Sequence, residues 1–145
     1  MRVWVDRIFL LVITILVAVL AGTALPGQLG GEHLGGLRLL AHMMASGALV
    51  FALPLFALYY LGRGISRFKS GGLQRLGFWT LILAGAVTIT TMFLCMLPLP
   101  STEQMHQLML VHGYAGFTMV PALALLLLGA ARWRRIQSTR SATPG

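Results

Sequence analysis

Four apolar stretches, each of about twenty residues or more, leave this chain one main option: helices that cross a membrane. A hydrocarbon layer of about 30 Å is spanned by about 20 helical residues. Within it every backbone amide and carbonyl has to be paired internally, which helices achieve on their own. The runs cover residues 3–24, 37–61, 76–97 and 101–131. The rest of the composition agrees. Only 10 % of the residues are charged and 57 % are hydrophobic, with a mean hydropathy of +0.84. Soluble domains carry about 25 % charge. The single cysteine, Cys95, excludes an internal disulfide framework and any multi-cysteine metal site.

The first run begins with Arg2, Trp4, Asp6 and Arg7, a basic start with an aromatic at the membrane interface. Thr23 and Ala24 offer small residues at its far end, but no cleavable signal peptide is convincing and the run fits a retained helix equally well. The segment 25–38 is a glycine-rich linker holding Glu32 and His33. The second run carries His42 and Pro54, and a mid-span proline is tolerated inside a bundle with a kink. The segment 62–75 holds Arg63, Arg67, Lys69 and Arg75 and no acid. The third run places Thr88, Thr91, Met92 and Cys95 at helical spacing and stops at Pro98 and Pro100. Ser101 and Gln104 then form a capping-box pattern opening the fourth helix, which holds His106, His112 and Pro121. The basic and then polar tail, 136–145, is expected to lie outside the membrane domain of 1–135, with its last residues disordered.

The charge pattern gives the topology. Net charge is +8, and all 11 Lys and Arg except Arg38 lie at the N-terminus, in segment 62–75 or in the tail. Such clustering marks membrane orientation rather than nucleic-acid binding. It places both termini and the second linker in the cytoplasm, and the first and third linkers outside, in the periplasm of a bacterium with two membranes. The expected fold is all-α, a four-helix up-down-up-down bundle in an inner membrane. In such a bundle the second and fourth helices are diagonal neighbours across the core.

Two histidines occupy matching places. His42 and His112 each lie a few residues inside an apolar run. Small residues follow each at the third and fourth positions: Ala45 and Ser46, Ala115 and Gly116. An imidazole inside a membrane needs a partner or a ligand. Two of them at one depth, each beside missing side-chain volume, point to a flat ligand held between two helices. Neutral imidazole nitrogen is a good ligand for haem iron. Met105, Met109 and His112 share a face, which also offers a Met–His ligand pair.

The four-span plan and the segments LAHMMASGALVFALPL and LVHGYAGFTMVPAL resemble the four-helix integral membrane cytochromes b. That resemblance implies electron transfer between quinol and a membrane or periplasmic redox partner. It makes His42 and His112 the axial ligands of a haem b, with Ala45, Ser46, Ala115 and Gly116 beside it. The family commonly stacks two such haems across the membrane. Here the inner half holds no histidine, so one outer-side haem is expected. A quinone or proton site is expected near His106, Glu103, Tyr114 and His33.

Other readings compete with this one. His42 and His112 also suit interhelical hydrogen bonds to Ser46, Thr91 or backbone carbonyls. His33, His106, Glu32 and Glu103 also suit solvated loop and helix-end positions. Gly113 and Gly116 also suit close helix packing. Six methionines, Met43, Met44, Met92, Met96, Met105 and Met109, share the outer half with Cys95 and three histidines, a soft-ligand set suited to copper. A metal-free anchor or assembly subunit of a larger complex is the third reading. No nucleophile, carboxylate pair or phosphate-binding loop points to an enzyme of the soluble type.

Overall fold

The computed structural model describes residues 2–30, 35–61 and 72–141, with side chains for all of these except 2, 3, 28 and 133–141. The described residues form four helices and no strand: α1 (Arg2–Gly30), α2 (Gly36–Leu61), α3 (Gly72–Met96) and α4 (Thr102–Ser141). This is an all-α, up-down-up-down four-helix bundle. Trp4–Gly27, Gly36–Leu61, Gly72–Met96 and Thr102–Arg132 are each long and apolar enough to cross a membrane. Large apolar side chains such as Phe51, Leu58, Leu83 and Leu128 are exposed on its surface, where lipid covers them. The chain is an integral membrane protein.

The helices overrun the expected bounds. Residues 25–30, read as linker, continue α1 through Pro26. Residues 72–75 already belong to α3, and α4 continues past 131 to Ser141. Near the membrane, leaving the helix strands backbone groups without water, so glycine and proline there do not end it. Beyond 131, Arg132 and the arginines after it suit a helix C-terminus, where the macrodipole favours cations. Of the expected tail, 136–141 are thus helical, and 142–145 lie outside the described residues.

Where sequence signals mark helix starts, the geometry matches them. Ser101 N–H donates to Gln104 Oε1 at 2.8 Å, and Gln104 N–H donates back to Ser101 Oγ at 3.3 Å. This reciprocal pair is the capping box. Gly36 opens α2 with φ +57°, a conformation that a Cβ disfavours.

The bundle is built from two hairpins. α1 packs on α2 and α3 on α4, and the hairpins meet through the α1–α4 and α2–α3 faces, which puts α2 and α4 on a diagonal. The α3–α4 pair is the tighter. A Cβ on Gly77 would lie 2.6 Å from Leu126 N and 2.7 Å from Ala122 O, and one on Gly129 would lie 2.9 Å from Gln74 Cα. Those glycines let the two backbones nearly touch, as small residues do between membrane helices. In the α1–α2 hairpin, Tyr59 O–H donates to Asp6 Oδ1 at 2.7 Å, and the Phe9 and Tyr59 rings are 4.7 Å apart. Phe56, Tyr60 and Phe78 then join the hairpins, with ring centroids 4.7 to 6.1 Å apart.

The hydrophobic core fills one half of the bundle. Its members are Ile13 and Val17 on α1, Leu49, Leu53 and Phe56 on α2, Phe78, Leu81 and Ala84 on α3, and Met119, Ala122, Leu123 and Leu126 on α4. All lie toward the end where α2 finishes and α3 begins. In the other half, among the described residues, the buried side chains are Ala45, Thr88 and Thr91. Leu53 and Met119 meet Gly85 at the boundary between the halves. Beyond that boundary the two hairpins lose the interlocking side chains that hold them together.

Candidate cofactor site

His42 and His112 stand in the half without a hydrophobic core. Each continues the inward stripe of its own helix. His42, Ala45, Leu49, Leu53 and Phe56 follow one another at helical spacing, as do His112, Ala115, Met119, Ala122 and Leu126. Seven residues, or two turns, separate each histidine from the first buried large side chain of its helix, Leu49 or Met119. The rings are half-buried, and His42 lies within electrostatic reach of His112.

Each ring is held from the partner helix of its own hairpin. His42 Nδ1 lies 2.8 Å from Thr23 Oγ1. His112 Nδ1 lies 3.0 Å from the Thr88 carbonyl oxygen and 3.3 Å from Thr91 Oγ1. The threonines are themselves fixed. Thr23 Oγ1 donates to the Val19 and Leu20 carbonyls at 2.7 and 3.0 Å, and Thr91 Oγ1 donates to the Val87 and Thr88 carbonyls at 2.8 and 3.0 Å. The Thr88 carbonyl only accepts, and the Thr23 hydroxyl already donates within its own helix, so the proton of each neutral ring sits on Nδ1. Each Nε2 is then left with a bare lone pair. Among the described residues neither Nε2 has a hydrogen-bond partner. Metal-bound histidines show this arrangement, with one nitrogen tied to an acceptor and the other free to ligate.

The two hairpins therefore repeat one device. Thr23 serves His42 and Thr91 serves His112, in both cases through a hydroxyl that donates within its own helix, and the Thr88 carbonyl adds a second acceptor at His112.

The neighbouring residues sort clearly. Ala45 is buried, and Ala115 and Gly116 are half-buried. A Cβ on Gly116 would meet nothing within 4 Å, so close helix packing does not account for that glycine. Ser46 turns to its own helix, donating to the Met43 carbonyl at 2.9 Å, and does not bond either histidine. Glu103, His106 and Tyr114 are exposed on α4, and Tyr114 is 76 % so. His33 and Glu32 lie outside the described residues. Met43, Met44, Met92, Met96, Met105 and Met109 are all exposed, and do not gather into a buried cluster around the imidazoles. Cys95 is half-buried with a free thiol. Among the described residues no three His, Cys, Asp or Glu side chains form a metal-holding group.

Thr23 was the functional residue hardest to find in the sequence. It reads there only as a small residue near a helix end. Its signal is the match between Val19-Leu20-x-x-Thr23 and Val87-Thr88-x-x-Thr91, each one helix upstream of a histidine.

No family model, curated protein or solved structure matches this chain.

Proposed function

We propose that this protein is a membrane b-type cytochrome that carries electrons through one haem held between His42 and His112. The observation that carries the reading is the pair of anchored imidazoles, each presenting a free Nε2, at the end of the bundle that lacks a hydrophobic core. The residues present suit the group. Two neutral nitrogen donors match its axial positions, and the open space at Gly116 and the small Ala45 and Ala115 suit a flat macrocycle beside helix backbone. When bound, haem supplies reversible one-electron transfer at iron. The chain's own residues orient the ligands, exclude water on the core side with Leu49, Leu53 and Met119, and hold the Nδ1 protons on Thr23, Thr88 and Thr91.

The distribution of Lys and Arg supports cytoplasmic termini in a bacterial inner membrane, with the histidines on the outer side. Quinol is the proposed small redox partner, meeting the protein on the exposed face of α4 that carries Glu103, His106 and Tyr114. A second protein, in the membrane or the periplasm, completes the electron path.

The visible spectrum of the purified protein tests this. A Soret band and a sharp α band on reduction, at about one haem per chain, are expected. Stoichiometric copper without haem would replace this reading with copper handling. Neither group bound would leave a metal-free anchor.

A further inference from the structure

We infer that Thr23 and Thr91 are paired positioning residues, which with the carbonyl of Thr88 hold His42 and His112 as Nδ1–H imidazoles before any ligand arrives. The tautomer needs no haem, whereas the electronic consequence below rests on the proposed haem site.

In water a histidine side chain favours the proton on Nε2, so the Nδ1–H form must be imposed by its surroundings. Here both rings meet acceptors at Nδ1 and nothing at Nε2. Each threonine hydroxyl has already committed its hydrogen to its own helix. What it turns toward the ring is therefore a lone pair, and the ring must donate. A helix-bonded threonine hydroxyl facing Nδ1 in both hairpins makes two half-sites of related design. The grips differ in strength. His42 has its short contact with the hydroxyl, 2.8 Å to Thr23 Oγ1. His112 has its shorter contact with the carbonyl, 3.0 Å to Thr88, and a longer one, 3.3 Å, to Thr91 Oγ1. Losing Thr23 thus releases His42 more than losing Thr91 releases His112.

The consequence for a bound metal follows from ligand basicity. A hydrogen bond donated from Nδ1 makes Nε2 a stronger donor and favours the oxidised metal. Removing the acceptor raises the midpoint potential while both axial nitrogens stay in place.

The test uses full-length protein in detergent micelles with ¹⁵N-labelled histidine. Without haem, the wild type is expected to show two rings with Nδ1 protonated and Nε2 bare. Thr23→Val shifts the His42 ring toward Nε2–H, Thr91→Val shifts His112 by less, and Thr23→Ser restores the wild-type signal. Thr90→Val, at an exposed position beside Thr91, changes neither. In the haem-loaded protein the midpoint potential rises in the order Thr23→Val above Thr91→Val, with an unchanged bis-imidazole spectrum. Wild-type rings protonated on Nε2 overturn the inference, even if haem binds. So do valine variants that match the wild type in both tautomer and potential. A protein that shows the expected tautomers yet takes up no haem supports the inference and instead defeats the cytochrome reading.

Discussion

The His112 ring of α4 is tied to α3 by a 3.0 Å hydrogen bond from Nδ1 to the carbonyl oxygen of Thr88. A threonine contributes here through its backbone, so replacing its side chain leaves the acceptor in place. Thr88→Val is therefore expected to keep the ring orientation. The Thr88 hydroxyl already donates to the Ala84 carbonyl at 2.8 Å within its own helix. The measurement is the same histidine ¹⁵N spectrum, and a tautomer change in Thr88→Val would contradict the backbone assignment.

Either histidine alone should be essential for a bound haem. His42→Ala and His112→Ala are each expected to abolish the reduced α band, while His106→Ala, on the exposed face of α4, leaves it intact. Size-exclusion profiles check that the alanine variants still fold, as expected when the large buried side chains lie elsewhere. A His106→Ala variant without an α band would move the site to the helix end.

The space beside Gly116 can be filled without touching the ligands. A Cβ there meets nothing within 4 Å, so Gly116→Leu should fold like the parent. Its side chain should compete with a macrocycle, and haem occupancy measured per folded chain should fall several-fold. Full occupancy in that variant would place the cofactor away from Gly116.

Packing at Gly77 gives the opposite outcome. An added Cβ would lie 2.6 Å from a backbone nitrogen of α4, and backbone cannot rotate away. Gly77→Ala is expected to destabilise the bundle by about 1–3 kcal/mol, the range for overpacked sites. Gly47→Ala, with nothing within 4 Å, is the control and should not destabilise. Unfolding of both variants in mixed micelles checks the contrast.

The Asp6–Tyr59 bond should be modest. Tyr59→Phe removes the O–H donor and is expected to destabilise by roughly 0.5–1.5 kcal/mol, as for an ordinary net hydrogen bond.

The number of helices and their order were legible in the sequence because membrane solvation imposes long apolar runs. The Ser101–Gln104 cap was legible too, since its spacing is local. Helix ends were not: residues 25–30 look like a linker by composition, yet the scarcity of water near a membrane keeps them helical. At the site, His42 and His112 stood out because imidazole is rare in such runs. Thr91 and a backbone carbonyl appeared among the alternatives for bonding them, and both are used. Ser46 was also named, and its hydroxyl donates instead to the Met43 carbonyl of its own helix. Thr23 was not foreseen, since nothing local relates it to a ring nineteen residues away.

The lopsided packing has a consequence for how such a protein is made. Phe56, Phe78 and Leu126 can clasp the hairpins together as soon as the last helix leaves the translocation machinery. The opposite mouth is then still free to part sideways within the bilayer. On the proposed cytochrome reading, a prosthetic group would arrive late, from the lipid side, on a polypeptide that is already assembled. Biogenesis would then be split into two events, and a shortage of the second would leave a waiting precursor rather than debris for proteases.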